Sequence, residues 1–221
     1  IEAFKMREQQ AKRYDRMLLN NWYDEDHYYY LDSAPAQILY RAVANILQNL
    51  GCKSILDVGC HHGNLVPYLK RHALQRYVGI DLCDRAIETA RKRYQGDCKI
   101  DFLNDDWHSL AMVRNYGKFD GIYFGGVLFY IQEPKCAFLS EFLRATEAEI
   151  FAIQELANTD LSSIRNQFHC LSEKYFYLDF EFPRKSWGPE WRKEFDWNEH
   201  WDSTVLKERQ LLTFSASQVD Q

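Results

Sequence analysis

Between Lys53 and Ile153 short apolar runs alternate with amphipathic stretches, and each run is the length of a strand. Ser54–Val58 (SILDV), Tyr77–Ile80 (YVGI), Lys99–Leu103, Phe119–Phe124 (FDGIYF) and Glu149–Gln154 (EIFAIQ) read as five buried strands. Between them the pattern predicts a helix over Asn64–Arg71, with Leu65, Leu69 and His72 at helical spacing. It predicts a second over Arg85–Tyr94, capped by Asp84, with Ala86, Ile87 and Ala90 on one face, and a third around Ala137–Ala145. Strands that are apolar throughout, rather than alternating, belong to a mostly parallel sheet covered by helices on both faces.

The flanks read differently. Phe4–Leu19 and Ala36–Leu50 are helical in pattern, the second with Ser33 as N-cap and Pro35 near its first turn, and an acidic aromatic stretch separates them. After the fifth strand, Asn158–Lys174 is expected to be helical, 183–203 irregular, and Lys207–Phe214 a last strand. One domain is the simplest organisation. Residues 1–50 form its N-terminal helical extension, and 51–221 its core, with a lid insertion around 156–203.

Composition narrows the function classes. The 221 residues are 46% apolar and 27% charged, with a formal net charge of −5. That balance suits an ordinary globular protein and argues against one that tracks nucleic-acid phosphates. No apolar run approaches the roughly 20 residues of a membrane-spanning helix, and Phe4–Asn20 is charged and amphipathic, unlike a signal peptide. The six cysteines are scattered, with no CxxC pair and no metal-ligand spacing, which predicts free thiols, a reducing cytoplasmic setting and no metal. Aromatic residues gather in 22–30 and 175–201, outside the alternating core. These two segments read as added surfaces, able to cover a site or support a homodimer; a monomer is equally compatible.

The passage that carries chemistry is Ile55-Leu-Asp-Val-Gly-Cys-His-His-Gly-Asn-Leu65. A strand ends in a tight turn with Gly59 and Gly63, and the predicted helix follows at once. Glycines let a ligand approach the backbone, and a helix N-terminus favours negative charge. Asp81, at the end of the second strand, is placed to meet a ribose diol. The dinucleotide fingerprint GxGxxG requires glycine at positions 61 and 64, where His61 and Asn64 stand, so that reading fails.

The spacing Asp57-x-Gly59-x-x-x-Gly63 instead resembles the first motif of the class I S-adenosylmethionine-dependent methyltransferases, and the resemblance extends from about Ser54 to Glu155. It implies a doubly wound, seven-stranded, mostly parallel α/β sheet. It also implies S-adenosyl-L-methionine as cofactor, leaving as S-adenosyl-L-homocysteine. On this resemblance Asp57, Gly59, Cys60, His61 and Gly63 form the loop around the methionine moiety. Asp81 takes the ribose hydroxyls with Leu82 beside the adenine, and Asn104, Asp105, Asp106 and Trp107 lie on the adenine side. Gly125, Gly126 and Val127 come near the sulfonium. His61 departs from the family, which places glycine there; its ring is expected to turn away from the methionine and line the pocket entrance.

The acceptor is expected beyond the carboxyl ends of the strands. Candidates for catalysis are Tyr130 after the fourth strand, His108 as a general base, Glu155 at the end of the fifth strand, and Tyr29. His61 and His62 are further possible bases. Tyr23, His27, Tyr28 and Tyr30 are candidates to cover the acceptor, and Arg165, Arg184 and Lys185 to anchor an anionic one. The expected activity is methyl transfer to a small metabolite, with oxygen preferred and the nitrogen of a small amine or amino sugar next. A non-catalytic domain that binds cofactor or a partner is the competing class.

Overall fold

A computed structural model of the chain describes residues 33–70, 72–105, 113–128, 131, 134–178 and 208–218. Ser33 caps the first helix, α1 (Ala34–Asn49): its Oγ accepts the Ala36 N–H at 3.4 Å, and Pro35 sits in the first turn, where a missing N–H costs nothing. Leu39, Val43, Ala44 and Leu47 form the buried stripe of this helix.

The strands are β1 (Ser54–Val58), β2 (Arg76–Asp81), β3 (Ile100–Asn104), β4 (Gly121–Gly125), β5 (Ile150–Leu156), β6 (Phe168–Tyr177) and β7 (Glu208–Gln218). They form one sheet in the order β3-β2-β1-β4-β5-β7-β6. The first five pair in parallel, and β7 runs antiparallel between β5 and β6. Alternate side chains of the strands feed two cores. Ile55, Tyr77, Phe102, Tyr123 and Ala152 pack with α1 and with Ile87 and Ala90 of α2 (Asp84–Arg93). Leu56, Val58, Ile80, Ile122, Phe124 and Ile153 pack with Phe138, Leu139 and Phe142 of α3 (Lys135–Thr146) and Ile164 of α4 (Ser162–Gln167). This is the doubly wound seven-stranded sheet expected from the sequence. The order reverses at β1, whose neighbours are β2 and β4, so the ligand crevice of such a sheet opens above the ends of β1 and β4.

Three local expectations are corrected. Asn64–Arg71 is not an α-helix: a run of turns leads into a single 3₁₀ turn at Val66–Tyr68, and Leu69 is extended. Pro67 inside this stretch removes a helical N–H, and Leu65, Val66 and Leu69 bury as a turn instead. No α-helix therefore begins behind the glycine loop over the described residues 64–70. Asp84 is the first residue of α2 and not its cap; that position is Cys83, which makes no capping bond through its side chain. Asn158–Lys174 is helical only over Ser162–Gln167, after which β6 begins. Phe168, Tyr175, Phe176 and Tyr177 suit a pleated surface, and β7 supplies the pairing partner from far along the chain. The segment expected as a lid thus contains the edge strand of the sheet. The expected helix Phe4–Leu19 and the whole of 183–203 lie outside the described residues. Among the described residues no helix is long and apolar enough to cross a membrane.

Candidate active site

The turn after β1 is built from backbone that L side chains rarely adopt. Gly59, His61 and Gly63 have φ of +78°, +48° and +71°. The Gly59 and Cys60 N–H groups donate to the Ile80 carbonyl at 2.9 and 3.1 Å, and the His61 N–H donates to Asp81 Oδ2 at 2.9 Å. A Cβ on Gly59 would stand 2.4 Å from Val127 Cγ1, and one on Gly63 would stand 2.6 Å from the Phe102 ring. The loop is therefore pressed between the β4 turn and the rings of Phe102 and Tyr94, whose hydroxyl donates to the Gly63 carbonyl at 3.0 Å. Its course is fixed by packing on both sides.

Two carboxylates sit at its ends. Asp57 is 2% exposed; its Oδ2 accepts the Tyr77 hydroxyl at 2.6 Å, while its Oδ1 has no partner among the described residues. Burial raises the Asp57 carboxyl to about 7, although the Tyr77 hydrogen bond pulls it down; the negative charge of Asp81 adds to the rise. Asp81 is 7% exposed, and its two oxygens accept the His61 and Cys83 N–H groups, both at 2.9 Å. Burial lifts its carboxyl as well, and these N–H groups oppose the lift. A carboxylate has about four acceptor sites, more than these backbone N–H groups use, so capacity remains for a diol. Asn104 holds the neighbouring turn, its amide donating to the Asp81 and Leu82 carbonyls at 3.2 and 2.9 Å.

His61 adopts a left-handed backbone, and histidine is among the residues that enter this region most readily. Its ring is 8% exposed and lies 3.8 Å from that of His62, so it fills the loop and does not stand open at an entrance. Burial first, then His62 and Arg93, lowers it to about 3, which leaves it neutral and weakly basic.

The structure brings Asp57, Gly59, Cys60, His61, Gly63, Asp81, Leu82, Asn104 and Asp105 together at the ends of β1, β2 and β3. Gly125, Gly126 and Val127 close in from β4, where the Gly126 N–H donates to the Gln154 carbonyl at 2.8 Å. Glu155 is 1% exposed, opposite Gln210 in the β5–β7 register. Arg165 pairs with Glu173 at 2.5 Å and donates to Gln210 at 3.3 Å, so an anionic acceptor would have to compete with Glu173 for it. Asp106, Trp107, His108, Tyr130, Tyr23, His27, Tyr28, Tyr29, Tyr30, Arg184 and Lys185 lie outside the described residues. Sequence reasoning missed Tyr77, taken only as a strand residue. It also missed the polar seam that continues through Tyr123, whose hydroxyl donates to Gln154 Oε1 at 3.4 Å. The one available signal was a tyrosine in a strand next to a strand carrying a buried aspartate.

The family profile described as a methyltransferase domain matches residues 55–149, the stretch that carries the loop and β1 to β4. Over these residues the chain is similar to methyltransferase domains. The fold comparison agrees along most of the chain. The magnesium protoporphyrin IX methyltransferase from Synechocystis PCC 6803, solved with S-adenosylhomocysteine, superposes with a TM-score of 0.63 at 13% identity, covering 94% of this chain and 99% of that one. The N-methyltransferase NodS from Bradyrhizobium japonicum WM9, also solved with S-adenosylhomocysteine, gives 0.62 at 14% identity, covering 90% and 96%. The [4+2]-cyclase SpnF gives 0.58 at 20% identity, covering 81% and 80%. At such identities these likenesses establish the fold, and the cyclase shows that the fold alone does not choose the reaction. No curated protein matches the sequence.

Proposed function

We propose that this chain binds S-adenosylmethionine and transfers its methyl group to a small metabolite, with oxygen the preferred acceptor atom. The observation that carries the reading is the pair of buried carboxylates bracketing the glycine loop. One has an oxygen unused among the described residues, and the other retains acceptor capacity where a ribose would lie. The donor set suits a zwitterionic nucleoside better than a pyrophosphate, because it offers negative charge and no α-helix begins behind the loop. When bound, the cofactor supplies an electrophilic methyl on a sulfonium.

The chain's own residues hold and orient. Gly59 and Gly63 keep side chains out of the loop backbone. Asp57 offers a carboxylate to the methionine amine, and Asp81 holds the ribose. Leu82, Asn104 and Asp105, with Asp106 and Trp107, enclose the adenine, and Gly125, Gly126 and Val127 form the wall towards the acceptor. Much of the acceleration then comes from alignment of nucleophile and methyl, with a base needed only where the nucleophile must lose a proton. Tyr29, His108 and Tyr130 are the proposed groups for that step and the reason for preferring oxygen. This chain covers almost the whole of both superposed methyltransferases, one of them named for magnesium protoporphyrin IX, which supports a small-molecule acceptor. An acceptor screen with methyl-labelled cofactor tests the reading. Label in small hydroxyl compounds supports it, label in amines redirects it to N-transfer, and the absence of transfer to any acceptor class, with cofactor bound, favours a binding module.

A further inference from the structure

The buried face of the sheet under the loop contains a polar contact that neither motif nor fold requires. Tyr77 is fully buried on β2, and its hydroxyl reaches diagonally across to Asp57 Oδ2 at 2.6 Å. A phenol spends its one proton on this bond. It fixes the carboxylate by one oxygen and leaves Oδ1 unpartnered among the described residues. Resting on the cofactor reading above, we propose that Tyr77 is a positioning residue: it holds Asp57 so that Oδ1 is offered to the cofactor amine, and cofactor uptake displaces a proton from this carboxyl.

The proton balance is simple. In the free protein a buried carboxyl with one unsatisfied oxygen is held protonated up to about pH 7. Arrival of a cationic ammonium favours the carboxylate, so the acid proton leaves to solvent as the ion pair forms. The phenols and the thiol that face Asp57 do not supply the same transition. Tyr77 on β2 and Tyr123 on β4 are raised well above the usual phenol range by burial, and Cys60 in the loop is raised well above the usual thiol range. Asp81 on β2 is the other acid nearby. Its oxygens are already held by two backbone N–H groups, and it adds negative charge that keeps the Asp57 proton in place.

The test is calorimetric titration of the whole protein with S-adenosylhomocysteine from pH 5.5 to 8, in buffers of different ionisation enthalpy. An acid with a midpoint near 7 is about 3% ionised at pH 5.5 and about 90% at pH 8, so affinity is expected to be about 30-fold weaker at the lower pH. Nearly one proton is released per ligand at pH 6 and almost none at pH 8. Tyr77→Phe removes the donor that favours the carboxylate, so the midpoint moves up by about one pH unit and the proton count at pH 7 rises. Asp57→Asn abolishes the proton release. The wild-type measurement decides the proton displacement even if either variant fails to fold, and a folded Tyr77→Phe that keeps the parent's midpoint and proton count overturns the positioning role. Binding that is flat with pH, with no proton exchanged, overturns the proposal and leaves the cofactor reading standing. No binding to folded protein at any pH overturns both.

Discussion

Gly59→Ala converts the packing of the loop into a number. The substitution keeps φ at +78°, where an L side chain costs about 1–2 kcal/mol. Its methyl would meet Val127 Cγ1 at 2.4 Å and the Gly125 carbonyl at 3.4 Å. Val127 is 4% exposed, so it has no solvent to move into, and overpacking of this kind costs about 1–3 kcal/mol. The sum is a destabilisation of about 2–5 kcal/mol. Gly117→Ala is the matched control: φ is +69°, but a Cβ there meets nothing within 4 Å, so only the conformational term remains. Urea unfolding followed by circular dichroism gives both values on one scale. Val127→Ala removes the clashing methyl, so in the double variant with Gly59→Ala the two costs should fall short of their sum by about 1 kcal/mol or more. If Gly59→Ala is no less stable than Gly117→Ala, or the two substitutions simply add, the loop is not pressed against the β4 turn.

Two further outcomes follow from the buried groups. Asp57 has a folded midpoint raised to about 7, above its unfolded value, so its contribution to stability is complete below about pH 4 and is lost as pH rises through 7. Urea midpoints of the free protein should fall over that interval by up to a few kcal/mol in free-energy terms. The fall should be shallower in Asp57→Asn; an equal slope in both would remove Asp57 as its source. At His61, glycine relieves the left-handed strain but loses a buried ring, so His61→Gly should lie within about 1 kcal/mol of the parent. His61→Val, β-branched at φ +48°, should cost about 2 kcal/mol or more. Thermal melts compare them, and a valine variant as stable as the glycine variant would refute the assigned backbone.

The parallel half of the sheet was legible because its strands are buried on both faces. An apolar run such as SILDV has no other comfortable place, and β1 begins and ends at the expected Ser54 and Val58. Ser33 was legible for a local reason, since a serine before a helix caps whatever the tertiary context. The turn after β1 was not: Leu65 and Leu69 have helical spacing, but spacing is also what a buried 3₁₀ turn around Pro67 shows. Strand β6 escaped because an edge strand exposed along most of its length carries no alternation, and its identity depends on β7, some 40 residues later. The loop, Asp57 and Asp81 were visible as a motif. The Tyr77 hydrogen bond was not, because it depends on which residue of β2 stands diagonal to Asp57, a register no single strand contains.

The central claim is that the loop from Asp57 to Gly63, clasped by Asp81, holds S-adenosylmethionine. Its most direct test is calorimetric titration of the folded protein with S-adenosylhomocysteine, beside Asp81→Asn. One amide oxygen cannot serve two N–H donors and a ribose, so the variant should remain folded but lose about 1–3 kcal/mol of binding free energy. Saturable one-to-one binding by the parent, weakened by that amount in the variant, is the predicted result. A folded parent that does not bind, or a variant that binds as tightly as the parent, contradicts the account.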